Sequence, residues 1–496
     1  MRCAAVSAAL GLFALPGVAQ DVTLTSRDGT LSISGMFQGY DGELFRVMTD
    51  YGPLTVDGEG VVCEGPACPD LTSFVADVRV VGEAGAGRRM LPLLLNAFAA
   101  ERGFVMAEED AAFVLSEAQT GRAVARFAFE PRTPDAAADA LRLGVADLAL
   151  AATDQPDLAV QTLGLEALVA VVSPQNPLRS LATADLARAL SGQILNWQEL
   201  GGPDMPVVVH ALKDGTGFRS AVEARLGQAL VATELHDTPD ALDAAVGRDP
   251  WALAVTSGSS VLMAQTLTLT DSCGLALSPT TMAVRAGDYP LTVPFFVLAP
   301  KRRLPLVARE FLEFLETPGA QPAIAGAGLI DRGAERADLL GDGQRLANAI
   351  HALGPDVPVQ EVQRLAAAMT GADRLSLTFR YGEGGQDLDA TSQGALTALV
   401  RLIETGGFSD MDLTFAAFSD GRGDGAANRA LAQQRADALL EAVAAAGPDL
   451  GDLRVTLRTE AFGEALPIAC DESPIGRQLN RRVEVWLRPS TGSAAP

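Results

Sequence analysis

Ser191-Gly-Gln-Ile-Leu-Asn-Trp197-Gln-Glu-Leu-Gly-Gly-Pro203 is followed by the apolar run Val207-Val-Val-His210 and then by Lys213-Asp-Gly-Thr-Gly-Phe-Arg219. A short apolar run closed by a glycine-rich turn predicts a buried strand feeding a helix. The start of such a helix presents free backbone N–H groups and the positive end of the peptide dipole, which together suit an anion. A turn that only enters a helix needs the same glycines, so these residues leave both readings open.

Toward the N-terminus, strands and helices alternate. Val78-Arg-Val-Val81 reads as a strand, and Gly82-Glu-Ala-Gly-Ala-Gly87 precedes a helix through residues 90–100. A helix beginning near Ala138 leads to a short buried strand that ends at Thr153-Asp154. Residues 164–172 form another buried strand, and 180–190 a helix. This alternation is the mark of α/β architecture. In such folds a ligand is expected where strand ends and helix N-termini meet in a cleft.

In order and spacing, S/G-G-x-I-x-N-W-x-E-x-G-G-P, a strand and D-G-S/T-G before a helix resemble the phosphate-binding proteins of ABC importers, which have the type II periplasmic binding fold. Gly287-Asp-Tyr-Pro-Leu291 matches the late G-x-Y-P-L of that family. The resemblance covers roughly 75–333 and implies a two-lobed domain over 71–335, with an inserted lobe at about 164–265. It implies that Gly215, Thr216 and Gly217 wrap a small oxyanion, with Thr153 beside it and Asp154 accepting the proton of hydrogen phosphate. Three positions depart from the pattern. The family's phosphate-pairing Arg is Leu212, the loop Thr is Phe218, and Gly85-Ala86-Gly87 lacks the usual hydroxyl. Each missing contact weakens binding by about 1–3 kcal/mol. Arg219 is the candidate replacement cation, and Trp197 is expected to pack in the core.

A second cluster lies near the C-terminus. Residues 411–418 alternate as a strand that runs into Ser419-Asp420-Gly-Arg-Gly423. A helix follows, placing Asn428, Leu431 and Arg435 on one face, and Asn480-Arg481-Arg482-Val483-Glu484 comes later. A carboxylate and a guanidinium across a small cleft suit a ligand that carries both an ammonium and a carboxylate. A structural salt bridge beside a tight turn is the competing reading. The order S/T-D-x-x-G, N-x-x-L-x-x-x-R-A, G-x-x-x-N-R-R-V-E resembles the OmpA-like peptidoglycan-binding domain, over 372–489, with a βαβαββ-type fold. That resemblance implies Asp420 for the ammonium and Arg435 for the carboxylate of the diaminopimelate stem, with Asn428 and Arg481 in support. The family's His before the S/T-D pair is Phe418 here.

The remaining segments are simpler. Residues 1–20 read as a signal peptide, with Arg2, an apolar run and Gly17-Val18-Ala19-Gln20 as the cleavage region. Residues 21–70 form a small β unit of short alternating runs. Within it, Cys63 and Cys68 bracket a Gly/Pro loop that a disulfide could close. A bond between Cys273 and Cys470 would join two domains. Residues 336–371 read as a helical linker and 490–496 as a disordered tail.

The fold class expected is therefore α/β and α+β multidomain: a β unit, a two-lobed binding fold and an OmpA-like domain. With Lys+Arg 38 against Asp+Glu 62 among 496 residues, the net charge of −24 argues against nucleic acid and anionic membranes as partners. No apolar stretch is long enough for a membrane helix. The three His, at 210, 236 and 351, are too scattered for zinc, and no nucleophile–base pair or cofactor motif is present. The expected protein is a non-catalytic binding protein of the Gram-negative periplasm, wall-associated, taking a phosphate-like oxyanion and partnered by an ABC importer. The alternative is a wall-bound scaffold whose binding domain has lost its anion and contacts another protein.

Overall fold

The computed structural model describes residues 21–213, 217–271, 273–338, 345–347, 349–350, 357–381, 385, 387–447 and 455–490. The leader at 1–20, Gly215, Thr216, much of the linker at 336–371 and the tail beyond 490 lie outside the described residues. The chain divides into two units. One comprises residues up to Val78 with Gly103–Phe127 and Arg303–Leu312; the other comprises Arg79–Arg102, Ala128–Arg302 and Glu313 onward.

The first unit contains a five-stranded antiparallel sheet built from Val22–Ser26, Ser32–Tyr40, Leu44–Thr49, Gly52–Asp57 and Val61–Glu64. Val22, Leu24, Phe45 and Val47 alternate inward and form its core. Cys63 and Cys68 are disulfide-bonded. Arg303 donates to Asp41 at 2.7 Å and, with Arg309, ion-pairs with Glu43, tying the Arg303–Leu312 segment to this sheet. An antiparallel hairpin, Phe104–Glu109 with Ala112–Glu117, completes the unit.

The second unit is organised around one long strand, Ala159–Val172. Its first part pairs antiparallel with Thr292–Ala299, and its last five residues pair antiparallel with Ala252–Ser257. The change of partner falls between Ala167 and Leu168, and a bulge between Thr162 and Gly164 interrupts the first pairing. The backbone at Gly164 is closely approached, since a Cβ would stand 3.0 Å from Leu329 Cβ and 3.1 Å from Ile330 O. On one side the sheet continues to Leu148–Ala151, which runs parallel to Val80–Gly82. On the other it continues through Val208–Leu212 to Glu234–His236, both in parallel register.

Two apolar cores follow from this division. Ala137, Leu141, Ala149 and Phe296 belong to one. Leu168, Leu186, Val209 and Trp197 belong to the other. Trp197 is fully buried, and its indole N–H donates to Trp251 O at 3.0 Å, which satisfies its polar end.

The C-terminal part has its own sheet, in the order Arg336–Ala337, Asp373–Arg380, Arg482–Pro489, Met411–Phe418 and Thr456–Gly463. Met411–Phe418 and Thr456–Gly463 are parallel, so the chain needs a crossover, and the Gly425–Ala446 helix supplies it. Asp424 caps that helix by accepting Ala427 N–H at 2.9 Å. Leu375, Phe379, Leu399, Phe415, Leu439 and Val485 pack between sheet and helices.

Charged and covalent links join this sheet domain to the binding-fold part of the same unit. Cys273 and Cys470 are disulfide-bonded, and Asp271 accepts Cys470 N–H at 2.7 Å. Asp288, inside the Gly287–Leu291 motif, accepts from Arg374 at 2.7 Å and Arg380 at 2.9 Å. Arg380 also donates to the carbonyls of Ala286, Gly287 and Leu479. Burial opposes the charge on Asp288, but Arg374, Arg345 and Arg380 outweigh it and hold its pKa below the ordinary value.

Candidate functional site

Two places carry the residues singled out from sequence. The first is the cleft of the binding fold. The Leu148–Ala151 strand delivers Thr153 and Asp154 to a cavity of about 870 Å³. The Gly217–Leu226 helix opens at Gly217, as the glycine-rich turn required, and sends Ala221 and Arg225 into the same cavity. Gly215 and Thr216, just before it, are outside the described residues.

Arg219 is committed elsewhere. Its guanidinium ion-pairs with Glu223 at 3.1 Å and donates to Leu230 O at 2.8 Å and Leu212 O at 3.4 Å. It braces the helix against the end of the Val208–Leu212 strand and is not among the cavity's lining residues. Arg225 was missed in the sequence. Its signal was there, because Ala221 and Arg225 are four residues apart and share one helix face. Burial lowers the pKa of Arg225, Arg380 adds to the effect, and Asp389 opposes it.

The remaining wall comes from the C-terminal part, where Asp389, Ser473, Arg477 and Arg481 line the same cavity. The cleft is therefore bounded by residues far apart in the chain, and nothing local in the sequence marks that closure.

The second place is the turn after Met411–Phe418. Asp420 accepts from Arg481 at 2.8 Å through one oxygen and from Arg422 N–H at 3.1 Å through the other. Asn428 closes the turn by donating to Asp420 O, Arg422 O and Glu464, the last at 2.6 Å. Arg435 is fully buried, stacks 5.2 Å from the centre of the Tyr381 ring and donates to Gly385 O at 3.2 Å. Burial lowers its pKa and Arg481 adds to this, while Tyr381 and Asp420 oppose.

Asp471 was also missed. It accepts Gly421 N–H at 2.6 Å and Asn480 Nδ2 at 2.8 Å, and burial pushes its pKa up despite both bonds. In the Asn480–Glu484 motif, successive residues do separate work. Asn480 holds the 468–471 loop, Arg481 reaches Asp420, and Arg482 donates to Glu484 at 2.6 Å in the core. Phe418, at the family's His position, is buried against Phe462 and Trp486 with Arg482 above its ring.

Comparisons with known proteins bear on the first place. Residues 85–317 match the family model of the PBP superfamily domain. The chain is 26% identical over 164 residues to the phosphate-binding protein PstS of Bacillus subtilis, covering 32% of this chain and 52% of that protein. It is 38% identical over 72 residues to the probable lipoprotein YiaD of Escherichia coli, covering 14% of this chain and 31% of that one. The chain thus spans about half or less of the length of these curated relatives. An ABC-type phosphate transport receptor from Vibrio cholerae aligns with a TM-score of 0.42 at 22% identity, over 51% of this chain and 99% of that one. Among the described residues no helix is long and apolar enough to cross a membrane. Residues 85–317 of this chain form a PBP superfamily domain.

Proposed function

We propose that this chain is a non-catalytic solute-binding protein of the periplasm. Its cleft takes a phosphate-like oxyanion, and its C-terminal domain holds the diaminopimelate stem of peptidoglycan. The observation that carries the reading is that Thr153 and Asp154 share one cavity with Arg225, from the last turn of the Gly217–Leu226 helix. A carboxylate beside an anion held by the Arg225 guanidinium selects for a protonated oxyanion, which donates to it. The relationship to PstS supports a phosphate-type ligand and an ABC importer as partner.

For the wall-binding half, the support is that Asp420, Asn428, Arg481 and Arg435 gather at one end of the C-terminal sheet. Reaching Arg435 requires the backbone at Gly385 to give way, and a stem ammonium must displace Arg481 from Asp420.

The test is calorimetric titration of the full mature chain with phosphate and sulfate, with Asp154→Ala and Thr216→Ala alongside. Saturable heat that both substitutions reduce is expected. A flat trace for both anions would remove the oxyanion reading.

A further inference from the structure

The cleft is larger than an inorganic oxyanion requires. Its volume of about 870 Å³ falls within the ~300–1,000 Å³ of pockets that enclose whole organic ligands. Part of the wall is apolar, at Pro294 and Phe296, and part is cationic, at Arg477 and Arg481 from the C-terminal sheet domain.

Most charged groups around the cavity already have partners. Arg188 pairs with Asp185, Arg481 with Asp420, and Arg477 donates to Asp471 O. Asp271 accepts Cys470 N–H, and Asp389 caps a helix by accepting Ser392 N–H at 2.7 Å. Two groups differ. Neither the half-buried Arg225 nor the exposed Asp154 makes a hydrogen bond or ion pair with a described residue, and both line this cavity. A guanidinium drawn partly out of water needs an anion to offset its lost hydration. Arg380 repels it while the Asp389 carboxylate attracts it, so its charge is only partly offset within the chain.

We propose that the cleft prefers an organic anion to a bare inorganic one. Its anionic head, a carboxylate or a phosphate ester, pairs with Arg225. A hydroxyl or ammonium on the same molecule donates to Asp154, and its body lies between Phe296 and the Arg477–Arg481 wall. The two domains then share one ligand, and Arg225 supplies the cation that Leu212 does not. This rests on the cleft being a binding site, as proposed above.

The experiment is calorimetric titration of the full mature chain, both disulfides formed, with three probes: inorganic phosphate, glycerol phosphate and glutamate. One of the two organic anions is expected to bind at least ~10-fold more tightly than phosphate. Arg225→Ala should then weaken that probe by ~10-fold or more, and Arg225→Lys should recover part of the loss. Phosphate binding at least as tightly as both organic probes, or a tighter organic probe indifferent to Arg225→Ala, overturns this inference and leaves the oxyanion reading standing. No binding by any of the three overturns both.

Discussion

Arg481 donates to Asp420 at 2.8 Å from one side of the C-terminal turn, and the same Arg481 lines the binding-fold cleft. In the free protein the carboxylate proposed for a stem ammonium is therefore already paired. A ligand ammonium replaces one charge-assisted bond with another, so the net gain comes from the second contact, its carboxylate on Arg435.

That exchange makes the wall-binding proposal open to test. Asp420→Ala with Arg435→Ala removes both ends of the clamp and should reduce co-sedimentation with purified sacculi at least ~10-fold. Arg435 is fully buried over Tyr381, so its loss also disturbs packing. Asp420→Asn keeps shape and removes the charge at one end of the clamp only, so it should lose less co-sedimentation than the double variant. Its melting temperature should fall, because Arg481 loses its carboxylate. Co-sedimentation equal to the parent for both variants would rule out the tether.

The Asp288 junction predicts a specific response to acid. Burial disfavours the charge on Asp288 and Glu484, but the surrounding Arg374, Arg345, Arg380 and Arg482 hold both pKa values below the ordinary 3.8 and 4.5. A depressed carboxylate pKa contributes stability that is fully present above the unfolded value and is lost as pH falls through the folded one. The melting temperature should accordingly hold from neutrality to about pH 5 and fall steeply below about pH 4. Asp288→Asn leaves two buried guanidinium groups short of a carboxylate and should cost about 3–5 kcal/mol at neutral pH in urea unfolding. It should also flatten the acid slope. An unchanged slope would mean that Asp288 does not carry the effect.

How legible these features were depends on how far apart their parts lie. The strand ending at Thr153-Asp154 and the turn opening the Gly217–Leu226 helix could be read, because periodicity and glycine placement act over a few residues. Asp288 sits in a readable motif, but its partners Arg374 and Arg380 lie 86 and 92 residues later, beyond any local pattern. Arg219 was the natural replacement for the cation missing at Leu212. Its guanidinium went to Glu223 and two carbonyls, and Arg225 reached the cavity. Sequence spacing places a residue on a helix face but does not say which neighbour satisfies it.

The two disulfides should differ in what they contribute. Cys63–Cys68 spans 5 residues and Cys273–Cys470 spans 197. On the chain-entropy account these loops correspond to about 2 and about 5 kcal/mol. Urea unfolding of Cys63→Ser with Cys68→Ser, against Cys273→Ser with Cys470→Ser, should show the larger loss for the second pair. The second pair should also loosen the C-terminal wall of the cleft, seen as faster amide exchange at residues 473–481. Equal losses would show that retained contacts such as Asp288 with Arg374 and Arg380, rather than the bond, set the junction's stability.

Gly85, Ala86 and Gly87 stand where the phosphate-binding pattern usually places a hydroxyl, and they fall in the first turn of the Ala84–Arg102 helix, where packing gives a reason for one of the glycines. A Cβ on Gly87 would stand 2.0 Å from Phe129 Cζ, so the ring lies directly on the helix backbone. Gly87→Ala should push that ring aside and destabilise the protein by about 1–3 kcal/mol, the usual cost of overpacking. Adding Phe129→Ala removes the clash, so the double variant should lose less than the sum of the two single ones, a coupling readable in a double-mutant cycle. Ligand titration of Gly87→Ala should match the parent. Lost binding with unchanged stability would return this turn to the anion site and place the ligand nearer the Ala84–Arg102 helix start than Arg225 requires.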